Sequence, residues 1–258
     1  VLPFRRFATL GALVSSLFAL LAPAAQAAPP PAVWEAPEKL TEADLAAALK
    51  KLDEAAAPLP SLLLPAVKFQ RLLLKIRTGT RVEDWRDEVK KFASDAEKTP
   101  VGAGLRDLAL AWEARARMAE IDKALRGYYR ANVRFPAKLS EAGVTGAAAN
   151  DPWGDAWAYS PTKPKGFSEK FVSQRYTLTP GKHPQARSLE DTLAEPSPAK
   201  AWKPTARDVS GQRVLEFRTA SGTVATQAGG RVEDATVLFI GDGWAVLTDL
   251  ERIFTVTF

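Results

Sequence analysis

Between Leu105 and Arg130 the apolar residues Leu110 (or Ala111), Ala114, Met118, Ile121, Leu125 and Tyr128 recur every three or four positions. That period belongs to one face of a long α-helix, and a face of that length has to be covered by other parts of the chain. Arg115, Arg117, Glu120 and Arg126 fall between the apolar positions and read as its solvated side.

The cover comes from two kinds of element. Upstream, residues 39–100 read as short helices. Thr41 and Asp44 form a capping-box pattern ahead of Leu45 to Leu49, and Pro58 and Pro60 end that helix. A second helix runs from about Leu62 to Ile76, with Pro65 in its tolerant first turn. A third spans about Val82 to Lys98, with Trp85, Val89 and Phe92 on one stripe. Pro100, Gly102 and Gly104 predict a break before the long helix. Helices joined this way resemble helical-hairpin arrays, without a regular repeat.

Downstream the period changes. Asn150 to Asp155 is dense in turn residues. Trp157 to Tyr159 and Phe171 to Leu178 alternate like short strands. Residues 179–210 read as loop, with one brief helix at Ser188 to Ala194. Val214 to Arg218, Thr223 to Thr226, Arg231 to Ile240, Trp244 to Leu247 and Arg252 to Phe258 are five candidate strands. The expected fold class is α+β. A helical region (28–100) precedes a long helix with a small antiparallel sheet (101–195), a linker (196–210) and a small all-β barrel or sandwich (211–258).

Composition narrows the chemistry. The 258 residues are 46% hydrophobic and 25% charged, an ordinary globular balance. There is no Cys, which excludes disulfides, thiolate nucleophiles and iron–sulfur ligation. A single His, His183, excludes a multi-His metal centre within one chain. The net charge of +5 falls to +3 once the two Arg of residues 1–27 are set aside, which is too mild to argue for nucleic acid.

Residues 1–27 read as a secretory signal peptide. Arg5 and Arg6 precede an uncharged run from Phe7 to Leu21, and Ala25-Gln26-Ala27 has the small-x-small cleavage pattern. The alternative is an uncleaved anchor, since the run to Ala28 is long enough to span a bilayer. Pro23 and the Ala-rich end favour cleavage. The expected location is periplasmic or secreted, with membrane contact only if the segment is kept.

The segment from Leu105 to about Asp191 resembles the C-terminal domain of the major pseudopilin of type II secretion. Ile121, Leu125, Tyr128, Tyr129 and Asn132 end the helix, and Arg134-Phe135-Pro136 follows. Asp151-Pro152-Trp153-Gly154 is then followed by Trp157, Tyr159 and Tyr176 to Gly181. The resemblance implies a structural motif built from Tyr128, Tyr129, Pro136, Asp151, Pro152, Trp153 and Gly154, with Trp153 buried against the tyrosine end of the helix. It stops short of the family's prepilin leader, because Phe7-Ala-Thr-Leu10 lacks the preceding Gly and the Glu. The family's calcium loop is replaced by Pro180 to Ser188, and only Glu190 and Asp191 remain nearby. Calcium takes six to eight oxygens, so no calcium or other cofactor is expected. The tail from Gly222 to Leu247 is more weakly similar to small periplasmic β-domains of secretion and pilus-assembly components.

No motif carries catalysis. His183 with Ser188 and Asp191 lacks a nucleophile elbow, and reads as a solvated loop. Asp151 and Asp155 read as turn-capping residues rather than a glycosidase pair. The expectation is a non-enzymatic, exported scaffold or assembly component that acts through protein contacts with secretion or envelope partners. Its contact surfaces would be the helices of 33–100, the sheet edge near Phe171 to Leu178 and the β tail. The alternative is a peptide- or polysaccharide-binding module with Trp153, Trp157 and Tyr159 as an aromatic platform.

Overall fold

A computed structural model describes residues 32–34, 40–96, 100–162, 175–195, 197, 200 and 202–258. The proposed signal segment and residues 171–174 of the predicted strand lie outside the described residues.

Four helices come first: α1 (Glu42–Ala56), α2 (Leu64–Arg77), α3 (Arg86–Ala96) and α4 (Pro100–Asn132). The Thr41 N–H donates to Asp44 Oδ2 at 3.1 Å, which fixes the start of α1. The glycines ahead of the long helix do not break it. At Gly104 an added Cβ would lie 2.6 Å from Leu238 Cδ2, so the absent side chain serves close packing instead.

The two halves of α4 are buried differently. Leu105, Leu108, Ala109, Trp112 and Ala116 join one core with α2 and α3. There the Trp85 and Trp112 rings meet edge-on at 6.4 Å. Ala114, Met118, Ile121 and Leu125 pack under Val144, Trp157 and Leu178 in a second cluster. That cluster lies beneath an antiparallel pair, β1 (Ala158–Thr162) and β2 (Arg175–Thr179), with Tyr159 opposite Leu178. The predicted solvated side of the helix is not all solvated: Arg115 is 0% exposed. The layers that follow cover α4 on more than one side.

After α5 (Leu189–Ala194) come β3 (Thr205–Val209), β4 (Gln212–Thr219), β5 (Gly222–Thr226), β6 (Arg231–Val232), β7 (Ala235–Ile240), β8 (Trp244–Thr248) and β9 (Ile253–Thr257). Strand β3 occupies part of the expected linker. Ser210 and Gly211, both at positive φ, form a two-residue turn that folds it back onto β4. The predicted strand Arg231 to Ile240 is two strands, with Glu233 at φ 52 in the turn between them.

These strands form the sheets β3–β4–β5 and β6–β7–β8–β9, both antiparallel, and among the described residues no barrel closes. Leu215 and Phe217 of the first sheet pack on Val237, Ala245 and Leu247 of the second. The opposite face of the second sheet sends Leu238, Trp244, Val246 and Ile253 into the helical core. All five residues of β8 are therefore buried, and its sequence is nearly all apolar. Among the described residues, no helix is long and apolar enough to cross a membrane.

Candidate functional site

Asp151 is 2% exposed and its carboxylate organises two loops. Oδ1 accepts the Trp153 and Asp155 N–H groups at 2.9 and 3.0 Å. Oδ2 accepts the Gly181 N–H at 3.0 Å and the Lys182 N–H at 3.5 Å. With four backbone donors, the carboxylate tethers the two loops together. Gly154 takes φ +99 in the same turn, which favours glycine.

Trp153 does not lie at the tyrosine end of α4. Its Nε1 donates to Asp107 Oδ1 at 3.0 Å, near the start of that helix and about 30 Å along its axis from Tyr128. The cause is the second tether: Gly181 and Lys182 bring His183 onto the Trp153 ring, with centroids 4.5 Å apart. His183 is thus 6% exposed rather than solvated, and among the described residues its Nε2 has no hydrogen-bond partner. Burial depresses its pKa below the usual histidine range, against an opposing pull from Asp107. Ser188 and Asp191 bond each other at 2.6 Å where they cap α5, and neither bonds His183. Ser188, Asp191 and His183 therefore do not form a triad.

The other expected platform residues are held inside. Trp157 is 6% exposed and its Nε1 donates to the Ala148 carbonyl. Tyr159 is half-buried and donates to the Pro136 carbonyl at 2.8 Å. At the end of α4 a chain of rings runs Tyr129–Phe135–Tyr176, with centroids 4.8 and 4.7 Å apart. Arg126, Arg130 and Arg175 join these rings around a depression of about 530 Å³. Tyr128 contacts Glu141 across the same end, at 3.5 Å.

A charged cluster that the sequence did not single out lies between α4 and the β8–β9 turn. Arg115 donates to the Leu250 carbonyl at 2.8 Å and to Thr192 Oγ1 at 3.1 Å, and sits 3.7 Å from Glu251. Burial pulls its pKa down to about 10, against the nearby carboxylates. Glu251 also accepts two bonds from Arg187, at 2.9 and 3.0 Å, and the Ser197 N–H. Burial raises its pKa, but these donors outweigh burial and hold it below the usual range. The cluster is internally paired and bolts the β turn to the helix. Among the described residues no group of three or more His, Asp or Glu is placed to hold a metal.

A further concave surface lies elsewhere. An apolar groove of about 820 Å³ lies across α1, α2 and α3, lined by Leu45, Leu49, Leu64, Leu72 and Phe92 with charged residues around them. Helix α2 packs on both neighbours, so α1 and α3 flank its open face. Leu52 of α1 is buried, whereas Leu45 and Leu49 on the same stripe are only half-covered. Leu64 on the lip is 57% exposed. The three leucines at 4 and 3 spacing were readable in the sequence. That two of them would pack against the core and still stay half-covered was not.

No protein-family profile, curated protein or solved structure gives a significant match to the chain.

Proposed function

We propose that this protein is a non-enzymatic scaffold or assembly component, and that the α1–α3 groove is its main docking surface. The observation that carries the reading is the groove itself. A surface helix ordinarily buries its apolar stripe. Here part of the α1 stripe, Leu45 and Leu49, stays half-covered at a trough whose lip carries the exposed Leu64, and apolar side chains left at a groove mark an interaction site. The charged interior supports the same reading, because its groups are spent on packing loops together rather than poised for chemistry. A periplasmic or secreted location rests on the leader pattern of residues 1–27. Kinship with type II secretion pseudopilins rests on the helix-end and Asp151-Pro-Trp-Gly154 motifs.

The test is a photo-crosslinking residue placed at Leu64, compared with one at Val209, which is also an exposed apolar position. In the native envelope fraction, discrete adducts from position 64 and none from 209 are expected. Absence of adducts at 64 overturns the reading.

A second reading is favoured by the Tyr129–Phe135–Tyr176 depression. Rings flanked by Arg126, Arg130 and Arg175 suit an anionic saccharide better than the buried Trp157 does. Retention on an immobilised uronic-acid polymer, lost in Arg130→Ala/Arg175→Ala, would support it.

A further inference from the structure

We infer that the groove seats one amphipathic helix of a partner protein, with acidic residues flanking its apolar stripe. The inference rests on the docking reading above and specifies the chemistry of the occupant.

The shape argues for a helix. Helices α1 and α3 both pack on α2, and the trough beside them has buried Leu72 and Phe92 at its floor, half-covered Leu45 and Leu49 on its wall and exposed Leu64 on its lip. A further helix laid there, opposite α4's side of the core, would cover the half-exposed Leu45 and Leu49. Helix-in-groove recognition works through such apolar anchors at i, i+3, i+4 and i+7.

The charge argues for acidity. Four cations line the groove against two carboxylates. Two of the cations are engaged: Lys75 pairs with Glu88 at 2.6 Å, and Arg71 pairs with Asp53 of α1. Those pairs brace the walls. Lys68 on α2 and Lys91 on α3 are exposed, and neither has an ion-pair partner among the described residues. They leave uncompensated positive charge at the groove, where carboxylates of an incoming helix would be matched and lysines repelled. Seating would desolvate these charges in part, so they select the partner as well as attract it.

The experiment uses the full chain and a labelled synthetic peptide of about five helical turns (~18 residues). The peptide carries leucines on one face and glutamates on its flanks. Fluorescence anisotropy should show saturable binding that a composition-matched scramble lacks. Lys68→Glu/Lys91→Glu should weaken binding roughly tenfold, and a lysine-flanked version should bind this variant better than the parent protein. That exchange cannot come from misfolding. Equal binding of the scramble, or indifference to the charge reversal, overturns the inference. So does a dimer of the chain alone, seen in sedimentation and dissolved by Leu49→Glu, since a second copy would then own the groove. Adducts at position 64 that the acidic peptide does not compete away defeat this inference alone, whereas absence of adducts defeats the docking reading itself.

Discussion

Arg115 and Glu251 form an interior ion pair, 3.7 Å apart, between the middle of the long helix and the β8–β9 turn. The Arg115 side chain is wholly buried and that of Glu251 is 10% exposed. Removing one member of such a pair leaves an uncompensated buried charge, at a cost of about 3–5 kcal/mol. Surface pairs are worth under about 1 kcal/mol. Glu251→Ala should therefore lower the melting temperature by roughly 6–20 °C, at about 2–4 °C per kcal/mol for a chain of this size. Glu216→Ala, which breaks the exposed pair with Arg207, should move it far less. Equal shifts by calorimetry would show that the interior pair carries no special weight.

His183 gives the protein a pH dependence. Its folded pKa lies below the ordinary 6.5 because its ring is buried on Trp153. The unfolded chain then binds the proton first as pH falls, so stability is complete above about 6.5 and declines towards the folded pKa. Urea midpoints measured from pH 7.5 down to 5 should fall in the parent protein. In His183→Gln that slope should flatten. A slope unchanged by the substitution would assign the effect to other groups.

How much of this was legible beforehand differs by element. The stripe Ala114–Met118–Ile121–Leu125 could be read, because helical burial of one face repeats every three to four residues. The burial of Arg115 could not. It depends on Leu250 and Thr192, partners far away in the chain. Strand β3 was hidden because none of its residues is buried, so it carries no apolar alternation. Trp153 and His183 were misplaced for one reason: a carboxylate reaching from Asp151 to Gly181 joins two loops that are unrelated in sequence. Short apolar motifs announce elements, whereas tethers between loops leave no local signal.

Asp151 is the strongest of those tethers. Asp151→Ala removes the acceptor for four backbone N–H groups, and hydrogen bonds to a charged group are worth about 1.5–3 kcal/mol each before any sharing. A loss of at least about 3 kcal/mol in chemical denaturation is expected, with Asp151→Asn losing less. An Ala variant as stable as the parent would show that the two loops hold without the tether.

Calcium should change nothing. Asp191 is engaged with Ser188 at the start of α5, and Arg187 lies beside it, paired with Glu251. Melting curves in millimolar calcium and in chelator are expected to superimpose. A saturable rise with calcium, abolished by Asp191→Ala, would reveal a site that this arrangement does not provide.

Gly104 tests the contact between helix and sheet. Gly104→Val places atoms where Leu238 already sits, and overpacking of this kind costs about 1–3 kcal/mol. Gly127, which has nothing near its missing Cβ, should accept Ala with little change or a small gain, as helix interiors prefer. Thermal melts of the two variants should move in clearly different ways.

The claim at the centre is that the half-covered leucines of α1 are a seat for a partner. It is tested most directly by repeating the crosslink from position 64 in a Leu49→Glu background. Leu49 lies on the groove and only part of it is buried, although it also touches the core, so the melting temperature of the variant is measured alongside and a folded protein is expected. The account predicts that the adducts seen with Leu49 disappear while the fold persists. Adducts of undiminished yield, at unchanged stability, would contradict it.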